Sequence, residues 1–204
     1  MLRRIGVELK NHAPFTALGA VSGIIIMVVV ILLNVSSPVS YRVFYVFHPL
    51  HVVLSALVTT AIYKKYGSGK IWAAVLIGFF GSVGIATISD SIIPYVGEVL
   101  LGLPNRGLHI GFIEKWWLVN PLALVGITIG YLKPATKFPH FGHVLLSTWA
   151  SLFHITMALG AVVNWVVLIT VFGFLFLAVL IPCCLSDIAF PLLFAKQSLP
   201  YHHE

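Results

Sequence analysis

The feature that most constrains the fold is a series of long apolar stretches, each close to the length of a membrane-spanning helix. They cover about 15–37, 42–63, 71–93, 116–132, 139–159 and 162–188. A hydrocarbon core roughly 30 Å thick requires about 20 apolar residues per helix. Only 9% of the residues are charged and the mean hydropathy is +1.03, whereas a soluble domain carries about 25% charged residues. The sequence therefore predicts an all-α integral membrane protein with six transmembrane helices.

The basic residues predict the orientation of these helices. With the N-terminus in the cytoplasm, nine lysines and arginines fall on the cytoplasmic side and three on the other. Cytoplasmic connections are enriched in such residues. We therefore expect both termini in the cytoplasm and the chain in a prokaryotic cytoplasmic membrane. The net charge of +6 then reflects loops that face anionic lipid, and we expect no nucleic-acid partner.

Two polar patterns recur in corresponding spans and indicate an internal repeat. The first recurs at an offset of 92 residues, as His48, His51, Ser55 and Thr59 and again as His140, His143, Ser147 and Ser151. The second recurs at an offset of 97 residues, as Ser89, Asp90 and Pro94 and again as Ser186, Asp187 and Pro191. Because three helices per unit is an odd number, the second copy must be inverted in the membrane, as in many secondary transporters. The sequence thus predicts two inverted three-helix repeats, 1–103 and 104–204, in one membrane domain.

A weaker echo pairs two glycine motifs in the first and fourth spans. Gly19 and Gly23 are separated by three residues, as are Gly126 and Gly130, at an offset of 107. Pairs of this kind commonly mark close helix packing in membranes. We expect internal packing at these faces, with a homodimer contact as the alternative.

The third and sixth apolar runs continue well past one span, to about 102 and 195. Each contains a Ser-Asp pair followed by a proline. Proline removes a backbone donor and clashes with the preceding turn. We therefore expect broken or re-entrant helices near Asp90 and Pro94 and near Asp187 and Pro191. A helix that is only kinked and tilted is the alternative.

The candidate site consists of the polar residues that the repeat duplicates. A stripe of imidazoles and hydroxyls at helical spacing should face the bundle interior, because lipid cannot satisfy it. Asp90 and Asp187 are the only aspartates of the chain. A charge at mid-membrane costs about 2.5–3.5 kcal/mol, which a cation, a proton or a histidine partner would offset. Imidazole and carboxylate together suit zinc, iron, manganese, cobalt or nickel.

These residues are not equally strong candidates. His51, His143, Asp90 and Asp187 are the main predicted ligands. His48 and His140 lie nearer the span ends, where contact with lipid headgroups or with a loop carbonyl is the alternative. The supporting hydroxyls belong to Ser55, Thr59, Ser147, Ser151, Ser89 and Ser186. Such hydroxyls commonly bond to their own helix, and we expect this of the four in the histidine stripes.

The orientation leaves two arrangements of the site open. His51 and Asp90 fall in the outer half of the membrane, and His143 and Asp187 in the inner half. The residues form either one half-site per face or one site near the midplane. Glu98, Arg106, His109 and Glu114 fall in the connection after the third span, which we expect to be solvated. A role in substrate gating is the alternative for this connection.

The leading hypothesis is a small secondary transporter or channel for a divalent transition-metal cation, with proton coupling as an option. A second is an inverted-repeat transporter of a small organic or anionic substrate with His/Asp proton coupling. A third is an intramembrane metalloenzyme or haem protein, and a subunit of a larger complex also stays open. An enzyme is not the favoured reading, and no resident cofactor is firmly expected. The expected partners are the lipid bilayer and a small ion or molecule.

Overall fold

A computed structural model describes residues 2–67, 70–134, 137–159, 165–184 and 189–194. Within these ranges the chain forms helices and no strand. The helices are α1 (Leu2–Leu32), α2 (Ser37–Tyr66), α3 (Ile71–Leu100), α4 (Gly111–Glu114), α5 (Trp116–Leu132), α6 (Lys137–Ala158), α7 (Trp165–Cys184) and α8 (Phe190–Leu193). The long helices α1, α2, α3, α5, α6 and α7 correspond in order to the six apolar stretches of the sequence.

Two of these helices, α2 and α3, are long and apolar enough to cross a membrane. Shorter apolar helical segments cover Thr16–Leu32, Trp116–Leu132 and Val166–Pro182. An all-helical chain with such segments is compatible with an α-helical membrane protein. Large apolar side chains such as Ile25, Leu32 and Trp72 are also exposed on the helix surfaces, where a bilayer would cover them.

The third helix is continuous through Asp90 and Pro94, so the expected break is wrong for this helix. Two π-helical turns, Phe80–Gly84 and Ile88–Ile92, take its place. Pro94 then stands in the first turn of the α-helical segment Ile93–Leu100. A π-turn inserts one extra residue into the helix, so the chain passes the proline without leaving the helical path.

The α2 helix occupies the centre of the bundle. It packs along α6 on one side, along α5 on another, and also against α3. Ring contacts pair Phe44 with His154 and Phe47 with Phe153, while Leu54 approaches Gly142. Residue numbers rise along α2 as they fall along α6, so the two helices are antiparallel.

Glycines allow α5 to approach α2 at backbone contact. A Cβ atom on Gly126 would lie 2.3 Å from the carbonyl oxygen of Val53, and one on Gly130 would lie 2.3 Å from that of Leu57. Any side chain at these positions would force the helices apart. A Cβ on Gly19 would meet Thr148 of α6 at 2.8 Å. The glycine faces therefore serve internal packing, as the sequence indicated.

The bundle has two distinct ends, which we name by their chemistry. The connection end carries the segment 101–115 between α3 and α5, where α2 begins and α6 ends. The basic end is opposite, where Lys64, Lys65, Lys70 and Lys133 lie near helix termini. At the basic end the Lys64 ammonium donates to the carbonyl oxygen of Tyr131 and lies 4.5 Å from that ring's centroid.

Candidate functional site

The candidate site is centred on the carboxylate of Asp90, which is fully buried between α3, α2 and α6. Asp90 lies within the π-helical turn Ile88–Ile92. The Nδ1 atoms of His48 and His51 lie 2.9 and 2.7 Å from its Oδ2 atom. Because a carboxylate only accepts hydrogen bonds, both imidazoles donate to the same oxygen.

The second carboxylate oxygen is also fully engaged. The hydroxyls of Ser89 and Ser147 donate to Oδ1 of Asp90 over 2.6 and 2.8 Å. A carboxylate has about four acceptor positions, and four side-chain donors now fill them. Hydrogen bonds to a charged group contribute about 1.5–3 kcal/mol each. These four therefore offset a burial cost of about 2.5–3.5 kcal/mol.

The histidine stripes of α2 and α6 face each other. The rings of His51 and His143 lie 5.3 Å apart, centroid to centroid, and both residues are buried. The hydroxyl of Ser147 reaches Asp90 from the same face of α6. The described members of the two stripes thus meet around Asp90.

The hydroxyls of the stripes behave in two ways. Ser151 donates over 2.8 Å to the carbonyl oxygen of Ser147 in its own helix, as expected, and also lies 3.0 Å from that of Ser89. The hydroxyl of Ser147 instead reaches across to α3, so the expected bond within its own helix is wrong for this residue. Ser55 and Thr59 are buried on α2.

His48 is fully buried, so the interfacial alternative is wrong for this residue. Phe44 stacks on its ring at a centroid distance of 5.2 Å. A Cβ atom on Gly111 would lie 2.5 Å from the Nε2 atom of His48. Glycine at this position therefore allows the short helix α4 to close over His48 from the connection end.

Four residues of the predicted site remain to be located in the structure. Ser186 and Asp187 lie outside the described residues, as does the side chain of His140. Whether the sixth span is broken at Asp187 is likewise outside them. Pro191 is buried in the first turn of α8, a helix that packs against α2 and α3.

A second buried acid–imidazole pair was missed by the sequence analysis. Glu98 is 1% exposed, so its expected place in a solvated connection is wrong. Its Oε1 atom lies 2.7 Å from Nδ1 of the fully buried His154, and its Oε2 atom accepts from the backbone N–H of Gly107 at 3.2 Å. The available signal was spacing: Glu98 follows Asp90 by eight residues, and His154 follows Ser151 by three. Both intervals return to the same helix face.

The connection places further polar groups above this pair. His109 lies 3.3 Å from Glu114, and Glu114 accepts a hydrogen bond of 2.7 Å from the hydroxyl of Tyr45. His109 is 28% exposed and Glu114 is 33% exposed. The rings of His109 and His154 are 5.5 Å apart. Arg106 is exposed, as expected of a solvated connection.

Metal binding has a limited basis in this geometry. Within the described ranges, no group of three or more His, Cys, Asp and Glu side chains is arranged to hold a metal ion. His48, His51 and Asp90 bring suitable ligand types together, but their atoms are joined by direct hydrogen bonds. A metal ion would have to displace at least one of these bonds.

Comparisons with protein-family models, with curated proteins and with solved structures found no match. The class of the protein therefore follows from its own structure: an all-helical chain with helices able to span a membrane and a buried aspartate–histidine centre.

Proposed function

We propose that this chain is a small secondary transporter in which Asp90, His48 and His51 bind the transported or coupling cation. One observation carries the proposal: a fully buried carboxylate accepts hydrogen bonds from two imidazoles inside an apolar helix bundle. Ionisable residues within membrane spans commonly mark ion pathways and proton relays. The imidazole is also the side chain whose ordinary pKa allows proton exchange near neutral pH.

The proposal includes six membrane-spanning helices arranged as two inverted repeats. The packing of the helices supports the repeat when α1, α2 and α3 are paired with α5, α6 and α7. The contact of α2 with α5 then corresponds to that of α6 with α1, and the contact of α2 with α3 to that of α6 with α7. The contact of α3 with α5 likewise corresponds to that of α7 with α1.

Individual contacts at repeat-equivalent positions support the same symmetry. Gly126 approaches Ala56, while its equivalent Gly19 approaches Thr148, the equivalent of Ala56. His51 and its equivalent His143 contact each other directly. Two residues at matching positions of the two repeats can contact each other only if both lie close to the two-fold axis that relates the repeats. Because α2 and α6 are antiparallel there, the axis is perpendicular to the helices, as an inverted repeat requires.

We propose that the basic end faces the cytoplasm and the connection end the opposite side. Lys64, Lys65, Lys70 and Lys133 support this orientation, because lysine and arginine accumulate in cytoplasmic connections. Both termini then lie in the cytoplasm of a prokaryotic cell. The bilayer is the expected environment of the helix surfaces.

A divalent transition-metal ion is the first cargo that we propose. Two imidazoles and one carboxylate are ligand types that zinc and its neighbours favour. Because the imidazole lone pairs bind either a proton or a metal, the metal would exchange with protons at the same site.

The second candidate is proton-coupled transport of another small solute. One observation favours it: the Nε2 atom of His48, whose Nδ1 atom faces Asp90, has no hydrogen-bond partner among the described residues and can accept a proton. A small organic molecule or anion would then bind elsewhere in the bundle. In both candidates Asp90 carries the coupling, and only the cargo differs.

Flux measurements on reconstituted protein test the function. Proteoliposomes are loaded with a pH-responsive dye or a metal-responsive dye and challenged with Zn²⁺, Mn²⁺, Fe²⁺, Co²⁺ or Ni²⁺ under an imposed pH gradient. We expect metal uptake coupled to proton release, and loss of both in Asp90→Asn. Ser91→Ala is the matched control, because Ser91 is buried next to Asp90 and its hydroxyl has no hydrogen-bond partner in the described part of the chain.

The outcomes separate the two candidates. Metal flux that persists in Asp90→Asn would contradict the proposal. Proton flux that depends on Asp90 but not on any metal would contradict metal transport and support proton-coupled transport of another small solute. The absence of any flux that depends on Asp90, in protein that remains folded by circular dichroism and size-exclusion chromatography, would overturn transport by this site.

A further inference from the structure

The Glu98–His154 pair lies apart from the centre to which we assign cation binding. Both side chains are at most 1% exposed. The Nδ1 atom of His154 faces the Glu98 carboxylate at 2.7 Å, while its Nε2 atom has no hydrogen-bond partner among the described residues. A buried acid–imidazole pair with one ring nitrogen unused is an arrangement that can take up and release a proton.

The pair stands between the exposed connection and the Asp90 centre. On one side, the ring of His154 contacts that of His109 at 5.5 Å, and His109 adjoins the partly exposed Glu114. On the other side, the ring of Phe44 is 5.5 Å from that of His154 and 5.2 Å from that of His48. Titratable groups thus extend from the surface to Asp90 with a single apolar interruption.

Phe44 forms that interruption and is itself fully buried. It stacks on His48 with an interplanar angle of 12° and meets His154 edge to face at 79°. The Nε2 atom of His48 also has no hydrogen-bond partner within the described ranges. A phenyl ring between two imidazoles blocks direct proton transfer, since it has neither donor nor acceptor.

The repeat does not duplicate this pair at the basic end. The positions equivalent to His154 and Glu98 at the offsets of 92 and 97 are Ile62 and Ala195. Neither residue can hold a proton. The polar route is therefore specific to the connection end, although the stripes themselves are duplicated.

We propose that Glu98 and His154 form a proton-holding site through which protons reach Asp90 from the connection end, with Phe44 as the gate. His154 accepts a proton at Nε2 and releases its Nδ1 proton to Glu98, which holds it. When Phe44 moves aside, His154 passes the Nε2 proton to the Nε2 atom of His48 and takes its Nδ1 proton back from Glu98, while His48 releases its own Nδ1 proton to Asp90. Only N–H and O–H bonds form and break. The titratable and charged groups that surround the site are His109, Glu114, Tyr45, Tyr41 and Lys115 from the connection and α2, and His48 and Asp90 beyond Phe44. This inference rests on the proposed function for the destination of the proton.

Infrared difference spectroscopy tests the proton-holding site without any assay of transport. Full-length protein in lipid is stepped between acidic and alkaline buffer, and the carboxylic-acid band is recorded. We expect Glu98→Gln to remove one component of this band and Asp90→Asn to leave that component in place. Thr156→Val serves as the control on α6, because the Thr156 hydroxyl bonds only to the Phe153 carbonyl oxygen of its own helix. An unchanged spectrum in Glu98→Gln would overturn the site, whether or not the protein transports.

Side-specific pH dependence tests the route. In oriented proteoliposomes, Glu98→Gln and His154→Gln should each reduce proton delivery from the connection end by about tenfold or more, while the response to pH at the basic end stays as in the wild type. Phe44→Ala should raise proton leak in the absence of cargo. Equal losses from both ends in Glu98→Gln, or no leak in Phe44→Ala, would contradict the route while the dependence of flux on Asp90 still supports the proposed function.

Discussion

The helices α2 and α6 carry matching stripes of histidines and hydroxyl residues. The surroundings of these stripes differ between the connection end and the basic end of the bundle. At the connection end, Glu98 and His154 add a buried acid–imidazole pair, and the segment 101–115 covers it. At the basic end, the equivalent positions are apolar, and a contact of Lys64 with Tyr131 lies near the helix ends instead. If the proposed repeat is correct, duplication accounts for the shared stripe and later divergence accounts for the acid–imidazole pair at one end.

The proposed transport gives this difference a reason. A cation centre reached from both sides would need equivalent side chains on α2 and α6, such as His51 and His143, whereas a route that serves one side would not. Variants that make the two halves unequal at the centre therefore test the shared part, and variants that act at one end test the part that differs.

The largest expected effect comes from Asp187, the residue that the proposed repeat pairs with Asp90. If the two are equivalent, Asp187→Asn should reduce cation flux by about 100-fold or more, as Asp90→Asn should, because a carboxylate within a membrane span has few substitutes as a charge carrier. Flux in proteoliposomes is the measurement, with Ser91→Ala as control. Full activity in Asp187→Asn would show that only the first copy retained the ion site, and the symmetric interpretation of the centre would fail.

A second comparison concerns the glycine faces of the two repeats. Gly130→Ala should lower the free energy of unfolding by about 1–3 kcal/mol, because the new Cβ would lie 2.3 Å from the backbone oxygen of Leu57. Gly23→Ala should have a small effect, since its nearest neighbour is a flexible leucine atom at 3.6 Å.

Thermal unfolding in detergent, followed by circular dichroism, measures this pair of variants. Gly173→Ala is a control, because a Cβ there meets no atom of the described residues within 4 Å. Equal destabilisation by Gly130→Ala and Gly23→Ala would contradict the difference in how closely α5 and α1 approach their neighbours.

A third variant loosens the connection end alone. Tyr45→Phe removes a hydrogen bond of 2.7 Å to Glu114, whereas Tyr41→Phe removes one of only 3.5 Å. Because a bond to a charged group contributes about 1.5–3 kcal/mol, amide hydrogen exchange over 107–115 should accelerate by about tenfold in Tyr45→Phe and little in Tyr41→Phe. Hydrogen–deuterium exchange with mass spectrometry measures it, and equal exchange in the two variants would argue against Tyr45 holding the connection closed.

The smallest expected effect is at the rim of the centre. Ser147→Ala removes one of four donors to Asp90 and leaves the two imidazoles in place. We expect flux to fall by about threefold to tenfold, since the remaining donors still satisfy most of the charge. Thr170→Val on α7 is the control, because its hydroxyl bonds only within its own helix at 2.8 Å. A loss as large as that of Asp90→Asn would mean that Ser147 itself binds the cargo.

Periodicity predicted the helices and the membrane class, because hydrophobic length is a local property of the chain. The stripe His48, His51 and Ser55 was correctly placed on a buried face, since residues three and four apart share one side of a helix. The sequence also identified Asp90 as a buried acid. The broken third helix was wrong, because a π-turn before Pro94 removes the clash that a regular helix would suffer.

The spacing of residues along one helix could not predict which side chains of other helices these residues contact. Nothing in the spacing of Glu98 shows that α6 brings His154 to within 2.7 Å of it, because the two lie more than fifty residues apart in the chain. The meeting of His51 with His143 depended in the same way on the packing angle and register of two antiparallel helices.

The helical, apolar character of the chain, the recurrence of its polar pattern and the need of Asp90 for partners can all be read from the sequence. These properties follow from the composition and the spacing of residues along single helices. The identity of the partners of Asp90, the contact of His51 with His143 and the burial of Glu98 are visible only in the folded bundle. The physical reason is that close packing of whole helices, set by glycines such as Gly126 and Gly130, fixes distances that no single helix contains.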